Sequence, residues 1–172
     1  MKFHIREAEH RDYEAVCSLA FQLHTIHVSA RPDIYKPTDK PMERQRYEEM
    51  IDGSTHLLYV MDDVQKHKVT GYAICRLDRV KGSHNIHDRA YLFIEEFIVD
   101  GSSRGDGAGT CLFHFIKSKA KELEVDSIDL NVAVFNKEAI AFYQKIGLMP
   151  KSLRMEYPVG HEPEVSRIEG ND

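Results

Sequence analysis

The sequence predicts an α/β domain (α+β by layering), and three observations predict it. Short segments with period-two apolar alternation are separated by segments whose apolar residues recur at helical spacing. The chain has 172 residues, enough for one such domain with a full core and too few for two. The third observation is a loop, Arg104-Gly105-Asp106-Gly107-Ala108-Gly109, that leaves an apolar strand-like run over 91–99 and opens an amphipathic helix over 110–123.

The elements follow in order. Phe3 and Ile5 alternate with polar neighbours and make a first strand. Asp12 is placed to cap a helix in which Val16, Leu19, Ala20, Leu23 and Ile26 share a face. Pro32 and Pro37 break residues 31–37 into a loop, and 43–51 are helical again, stopped by Gly53. Residues 56–61 and 69–77 read as neighbouring strands, a hairpin joined through Asp62-Asp63. A polar loop over 81–89 precedes the strand at 91–99. Leu112, Phe115, Ile116, Ala120 and Leu123 form the buried stripe of the next helix. Residues 127–134 are a strand, Asn136 caps a helix that stops at Gly147, and 152–157 are a last strand. Residues 1–160 are thus expected to form one domain, with a polar tail over 161–172.

Composition narrows the function classes. An apolar fraction of 42% and a charged fraction of 30% are those of a globular domain. A net charge of −5, with no basic stretch interleaved with aromatics, argues against nucleic-acid binding and is compatible with a cationic amine substrate. Cys17, Cys75 and Cys111 show no paired spacing, which points to a reducing compartment rather than a disulfide frame or zinc knuckle. The first residues lack the apolar core of a signal peptide, and no apolar run approaches membrane-spanning length. The expectation is cytoplasmic, with no membrane partner. His24 and His27 lie a helical turn apart with no evident third ligand, so no metal is expected. His84 and His87 read as solvent-exposed, and Cys111 as small apolar packing.

Three glycines in five positions, between strand and helix, let a backbone press close to a ligand. The first-turn N–H groups and the macrodipole of the following helix favour an anion there. That is equipment for a phosphate or diphosphate. A P-loop is excluded because Gly109 is followed by Thr110-Cys111 with no Lys. A dinucleotide fingerprint belongs on the first strand of its fold, and this loop comes after at least three.

The spacing Arg-x-x-Gly-x-Gly after a strand resembles the acyl-CoA loop of the GCN5-related N-acetyltransferases. Two further segments sit where that family has them: Glu95-Glu96-Phe97-Ile98-Val99-Asp100, similar to its fourth strand, and Asn136 to Leu148, similar to its Asn-x-x-Ala-x-x-Phe-Tyr-x-x-x-Gly-Phe segment with Leu148 for the usual Phe. The resemblance covers most of the chain, from Ile5 to about Tyr157. It implies a mixed, mostly antiparallel central sheet, helices on both faces, and a parallel strand pair (95–99 and 128–134) that splays to admit acetyl-CoA.

It also implies roles. The pantetheine arm meets the backbone of Phe97, Ile98 and Val99, with a strand N–H near Ile98 or Val99 facing the oxyanion. The diphosphate meets Arg104, Gly105, Asp106, Gly107, Ala108, Gly109 and Thr110, and Asn136, Phe142 and Tyr143 complete the acyl-CoA contacts. Tyr143 returns a proton to the leaving thiolate. Glu95 or Glu96 deprotonates the acceptor ammonium; as neighbours on a strand they are expected on opposite faces, so that only one lines the site. Tyr35 and Arg31 lie where the family builds its acceptor pocket. The resemblance implies direct transfer to a primary amine, taken as a small molecule, and the Glu95-Glu96 pair resembles that of polyamine acetyltransferases. A protein N-terminus or lysine as acceptor, and a non-catalytic acyl-CoA-binding module, stay open. A homodimer is common in the resembled family.

Overall fold

A five-stranded sheet forms where the alternating segments were expected: β1 (Phe3–Glu7), β2 (His56–Asp63), β3 (Lys68–Val80), β4 (Arg89–Val99) and β5 (Ser127–Leu130). The computed structural model describes residues 2–159. The strands stand in sequence order, β1 to β4 antiparallel and β4 parallel to β5, a mixed and mostly antiparallel sheet. The chain divides into two compact units, Met1–Asn136 and Lys137–Asp172.

In the first unit, α1 (Tyr13–Ala30) and α2 (Arg44–Asp52) cover one face of the sheet. Side chains two apart on a strand share a face, as do residues paired across an antiparallel ladder. Leu58, Val60, Tyr72, Ile74 and Ile98 therefore lie together, and Val16, Leu19, Ala20, Met42, Tyr47 and Met50 close that core. The other face carries Tyr59, Met61, Ala73 and Cys75. There α3 (Ala108–Glu122) packs against β1, β3 and β4, burying Leu112, Phe113, Ile116 and Ala120, with Phe115 edge-on to Tyr59 at 5.0 Å. Helices thus lie on both faces.

Several expectations are corrected. Asp12 does not cap α1 with its side chain; it is buried and takes a fork from Arg6 at 2.6 and 2.8 Å and the Glu9 N–H at 2.8 Å. Burial alone raises this carboxyl, and those bonds outweigh it, so it lies below its ordinary range. Arg6 Nε reaches Asp62 at 2.9 Å, so one guanidinium ties β1, β2 and the entry to α1. Asp62 and Asp63 belong to β2, and the turn is 64–67: Asp63 Oδ1 accepts from the N–H groups of Gln65 and Lys66, the local bond that Asp favours at a turn. β5 ends at Leu130 rather than at 134. Residues 152–157 form no strand; their alternation survives, but Leu153, Met155 and Tyr157 are exposed, and alternation makes a strand only where a partner ladder exists. The polar tail over 161–172 lies outside the described residues.

In the second unit, α4 (Lys137–Lys145) ends as expected at Gly147, whose φ of +99° is left-handed. The Leu148 N–H then donates to the Tyr143 carbonyl at 2.9 Å.

Candidate active site

The β3–β4 ladder is interrupted at one place. Ile74 pairs with Glu96 and Cys75 with Ile94, leaving Glu95 as an extra residue, a β-bulge. The parallel ladder to β5 runs from Tyr91 with Ser127 to Ile94 with Leu130 and stops there, so β4 continues from Glu95 to Val99 beyond the last pairing with β5. The parallel pairing therefore stops beside the bulge, where the splay between 95–99 and 128–134 was expected.

The bulge overturns the expectation that Glu95 and Glu96 face opposite ways. Tyr72, Ile74 and Arg76 alternate onto the α1/α2 face of β3, and His56 pairs with Arg76. Glu96 accepts from the Tyr72 hydroxyl at 2.6 Å, with Arg46 of α2 at 4.0 Å from its other oxygen. Glu95 accepts from Arg76 Nη1, and His56 Nε2 lies 3.4 Å from its second oxygen. Both carboxylates thus stand on the same face at the mouth of the splay, because the inserted residue breaks the period of two. Burial, and then the charge and hydrogen bond of Glu96, push the Tyr72 phenol far up, so it remains a donor. Arg76 also forks onto Asp78 at 2.7 and 2.9 Å. Every carboxylate of this cluster has a cationic neighbour.

Beyond β4 the chain turns through the glycine loop. Asp100 accepts from the Ser102 N–H and hydroxyl at 2.9 and 2.8 Å and from Lys68 at 3.0 Å. Burial alone raises the Asp100 carboxyl, and those three donors overcome it, holding it at about 2. Beneath the loop the buried hydroxyls of Thr70 and Ser103 meet at 2.7 Å. Residues 104–107 are exposed, so the bend is open. Gly105 and Gly107 have φ of +84° and +81°, and a Cβ on either would meet nothing within 4 Å. Gly107 caps α3, whose first-turn N–H groups lack intrahelical acceptors. The loop's own acid, Asp106, is held by Lys2 at 2.7 Å, and that bond draws its carboxyl down. The cradle therefore fits a diphosphate: a bare backbone, an open surface and a helix N-terminus.

Tyr35 packs on α1, 5.0 Å from the His27 ring and 6.3 Å from His24. Phe135, beyond β5, meets the His27 ring edge-on at 5.7 Å. Burial and then His24 lower the His27 imidazole below its ordinary range, favouring a neutral aromatic wall. Arg31 forks onto Asp33 within its own loop at 2.7 to 3.2 Å. Sequence reading took His27 only as half of a His pair without a third ligand, and missed His56, Tyr72, Arg76 and Phe135, which have no motif; only strand pairing and loop return bring them in. Among the described residues no three His, Cys, Asp or Glu side chains group to hold a metal, and no helix is long and apolar enough to cross a membrane.

Asn136 is the last residue of the first unit, its N–H donating to the Ala133 carbonyl at 2.9 Å. Phe142 and Tyr143 lie in α4, their rings 5.4 Å apart. Desolvation pushes the Tyr143 phenol up to about 12, keeping it protonated.

Known proteins share this architecture. The family described as "Acetyltransferase (GNAT) family" matches residues 20–148. An uncharacterised N-acetyltransferase of Methanocaldococcus jannaschii, MJ1207, is 34% identical over 86 residues, which span 50% of this chain and 37% of that protein. A mutant form of the BH1408 protein from Bacillus halodurans superposes with a TM-score of 0.88 at 32% identity, covering 91% of this chain and 99% of that one. Glucosamine-6-phosphate N-acetyltransferase from Arabidopsis thaliana shares the fold alone, at a TM-score of 0.63 and 22% identity over 92% of this chain and 99% of that one. With the family match running through the bulged strand, the glycine loop and α4, the chain belongs to the GNAT acetyltransferase family.

Proposed function

We propose that this protein transfers an acetyl group from acetyl-CoA to the primary amine of a small molecule, directly and in a ternary complex. The observation that carries the reading is the continuity of one strand. β4 leaves its parallel partner at a pair of carboxylates and ends in an open glycine cradle at a helix N-terminus. Acetyl-CoA brings an activated acyl thioester, and the chain's residues do the rest. Arg104, Gly105, Asp106, Gly107, Ala108, Gly109 and Thr110 hold the diphosphate, chiefly through backbone N–H groups. The backbone of Phe97, Ile98 and Val99 orients the pantetheine arm, and a strand N–H near Ile98 or Val99 takes the charge that develops on the acyl oxygen. Asn136 and Phe142 are assigned to the same ligand by their motif.

An alkylammonium with a pKa near 10.4 is only about one part in a thousand free base at pH 7.4. Glu95 removes its proton, so that nitrogen can form a bond to the acyl carbon as the carbon–sulfur bond breaks. Glu96, held by Tyr72, fixes the ammonium before that step. Tyr143 gives its proton to the departing thiolate, a role supported by its motif and by a phenol held protonated. Tyr35 and Arg31 border the acceptor. Arg46 and Arg76 offset two of the three carboxylate charges of Glu95, Glu96 and Asp78, and the single negative charge left over supports a monoamine over a polyamine. Three free cysteines suit a reducing, cytoplasmic setting. The match over 20–148 crosses from the first unit into the second, which supports one domain over 1–160.

Free-thiol release from acetyl-CoA, run against monoamines, polyamines and peptides with free N-termini or lysines, tests the reading. Turnover on small monoamines is the expected result. Tight CoA binding with no turnover on any acceptor would make the protein a binding module, and turnover on peptides alone would make it a protein modifier.

A further inference from the structure

α2 brings a guanidinium to the acid pair and leaves its donors open. Tyr47 and Met50 of α2 are buried, and the Tyr47 hydroxyl donates to the Glu9 carbonyl at 2.7 Å, which fixes the roll of the helix. That roll sets Arg46, the residue before Tyr47, beside Glu96 of β4. Glu96 Oε2 already accepts from the Tyr72 hydroxyl at 2.6 Å. Its Oε1 lies 4.0 Å from Arg46 Nη2, a distance too long for a hydrogen bond. A guanidinium offers five N–H donors in a planar fork. Among the described residues none of those of Arg46 is taken by a hydrogen bond. Its neighbours differ: Arg76 is occupied by Asp78 and Glu95, and Arg44 by Glu14 at 2.7 Å and the Tyr13 ring. Glu96 is 22% exposed and Arg46 54%, so one side of the pair is enclosed and the other is open to a ligand.

We infer that Arg46 receives a carboxylate of the acceptor, and that the acceptor is an α-amino acid. The inference rests on the acetyl-transfer reading and deepens it by naming the substrate class. An α-amino acid carries ammonium and carboxylate on one carbon, so its nitrogen and nearer oxygen lie about 3 Å apart. With the ammonium on Glu96 Oε1 and the carboxylate on Arg46, four charges alternate around a ring whose protein side is the 4.0 Å gap. Each charge then has two opposite neighbours, and Glu95 stands on the same face to take the proton. The flat carboxylate fits the guanidinium fork in two parallel bonds. A diamine would set its second ammonium against Arg46, and a phosphate dianion would set more charge against Glu96. A peptide N-terminus has an amide where the amino acid has its carboxylate, so the same fork selects against peptides.

Arg46→Gln tests this, with free amino acids, their amides and the amines left by decarboxylation as matched acceptors. For the amino acids KM is expected to rise about 10–10²-fold, the loss of a charge-assisted fork at a half-exposed site. For the decarboxylated amines KM should instead fall by about 2–5-fold, since a cation that repels the ammonium has been removed. Arg46→Lys keeps the charge and loses the fork, so it should weaken amino acids part of the way and bring no gain for the amines. Thermal melts check that each variant is folded. A merely structural role for Arg46 moves both acceptor classes in the same direction, and that result overturns the inference. So does a wild-type preference for the amides, the decarboxylated amines or aminoalkyl phosphates, which leaves acetyl transfer standing. Absence of wild-type turnover with every acceptor removes both readings.

Discussion

Gly107→Ala separates what the glycine loop does for the fold from what it does for a ligand. At φ +81° an L side chain costs about 1–2 kcal/mol, because Cβ crowds the following carbonyl. For a chain of this size that lowers Tm by roughly 2–8 °C. Nothing in the protein opposes the new methyl, since no atom lies within 4 Å of the position a Cβ would take. The space it would occupy is solvent or ligand. If a diphosphate lies against this backbone, the methyl lifts it off the N–H groups. Losing two charge-assisted bonds at about 1.5 kcal/mol each is close to 3 kcal/mol, or about 10²-fold in Kd. A matched control exists in Gly82, in the β3–β4 loop: its φ is +67° and its Cβ position is equally open. Gly82→Ala should therefore carry a comparable backbone penalty and leave CoA affinity untouched. Calorimetric titration of CoA into both variants, beside thermal melts, reads the difference. If the two variants melt alike and also bind CoA alike, the loop is a turn and not a cradle.

Tyr143→Phe should lower kcat by about 10²–10⁴-fold and leave acetyl-CoA affinity intact, by single-turnover kinetics and titration; wild-type kcat would remove the acid role. Asp100 has a carboxyl at about 2 in place of 3.8, so its contribution is fully present above pH 3.8 and disappears as pH falls through 2. Asp100→Asn should cost about 2 kcal/mol in urea unfolding at pH 7 and converge with wild type near pH 2. Arg6→Met strands the buried Asp12 carboxylate and should cost about 3–5 kcal/mol, part of it recovered when Asp12→Asn is added, by chemical denaturation.

Periodicity and glycine chemistry carried most of the fold. The alternating runs at 3–5, 56–61, 69–77 and 91–99 all lie in strands, and the stripe at Leu112, Ile116 and Ala120 is buried. The glycine loop was legible because left-handed residues at a strand-to-helix junction leave few alternatives to glycine. The bulge was not. Ile94, Glu95 and Glu96 alternate nowhere in apolar character, and an inserted residue shows only against a partner strand. Nor do His56 and Arg76 announce themselves in a pattern; β2 and β3 carry them to Glu95 from 39 and 19 positions away in sequence. Residues 152–157 show the converse error: local alternation without a neighbouring ladder does not make a strand.

One inserted residue accounts for the location of the candidate site. A bulge bends its strand and increases its local twist. β5 pairs with β4 up to Ile94 and not beyond, so the pairing ends where that bend begins. The same insertion breaks the two-residue period, turning Glu95 onto the face that already holds Glu96. There Glu95 comes within reach of Arg76 and His56, two residues that pair across the β2–β3 ladder. The end of the parallel pairing and the acid pair thus both meet at a single backbone irregularity, and neither requires a side chain to leave its strand. Removing Glu95 from the chain should therefore do more than remove a base: with regular pairing restored, the splay loses its cause and Glu96 keeps its hydroxyl partner but has no carboxylate neighbour. A deletion variant that still binds acetyl-CoA as wild type does would show that the splay has another origin, in which case Glu95→Gln, which keeps the bulge, is the variant that isolates the base.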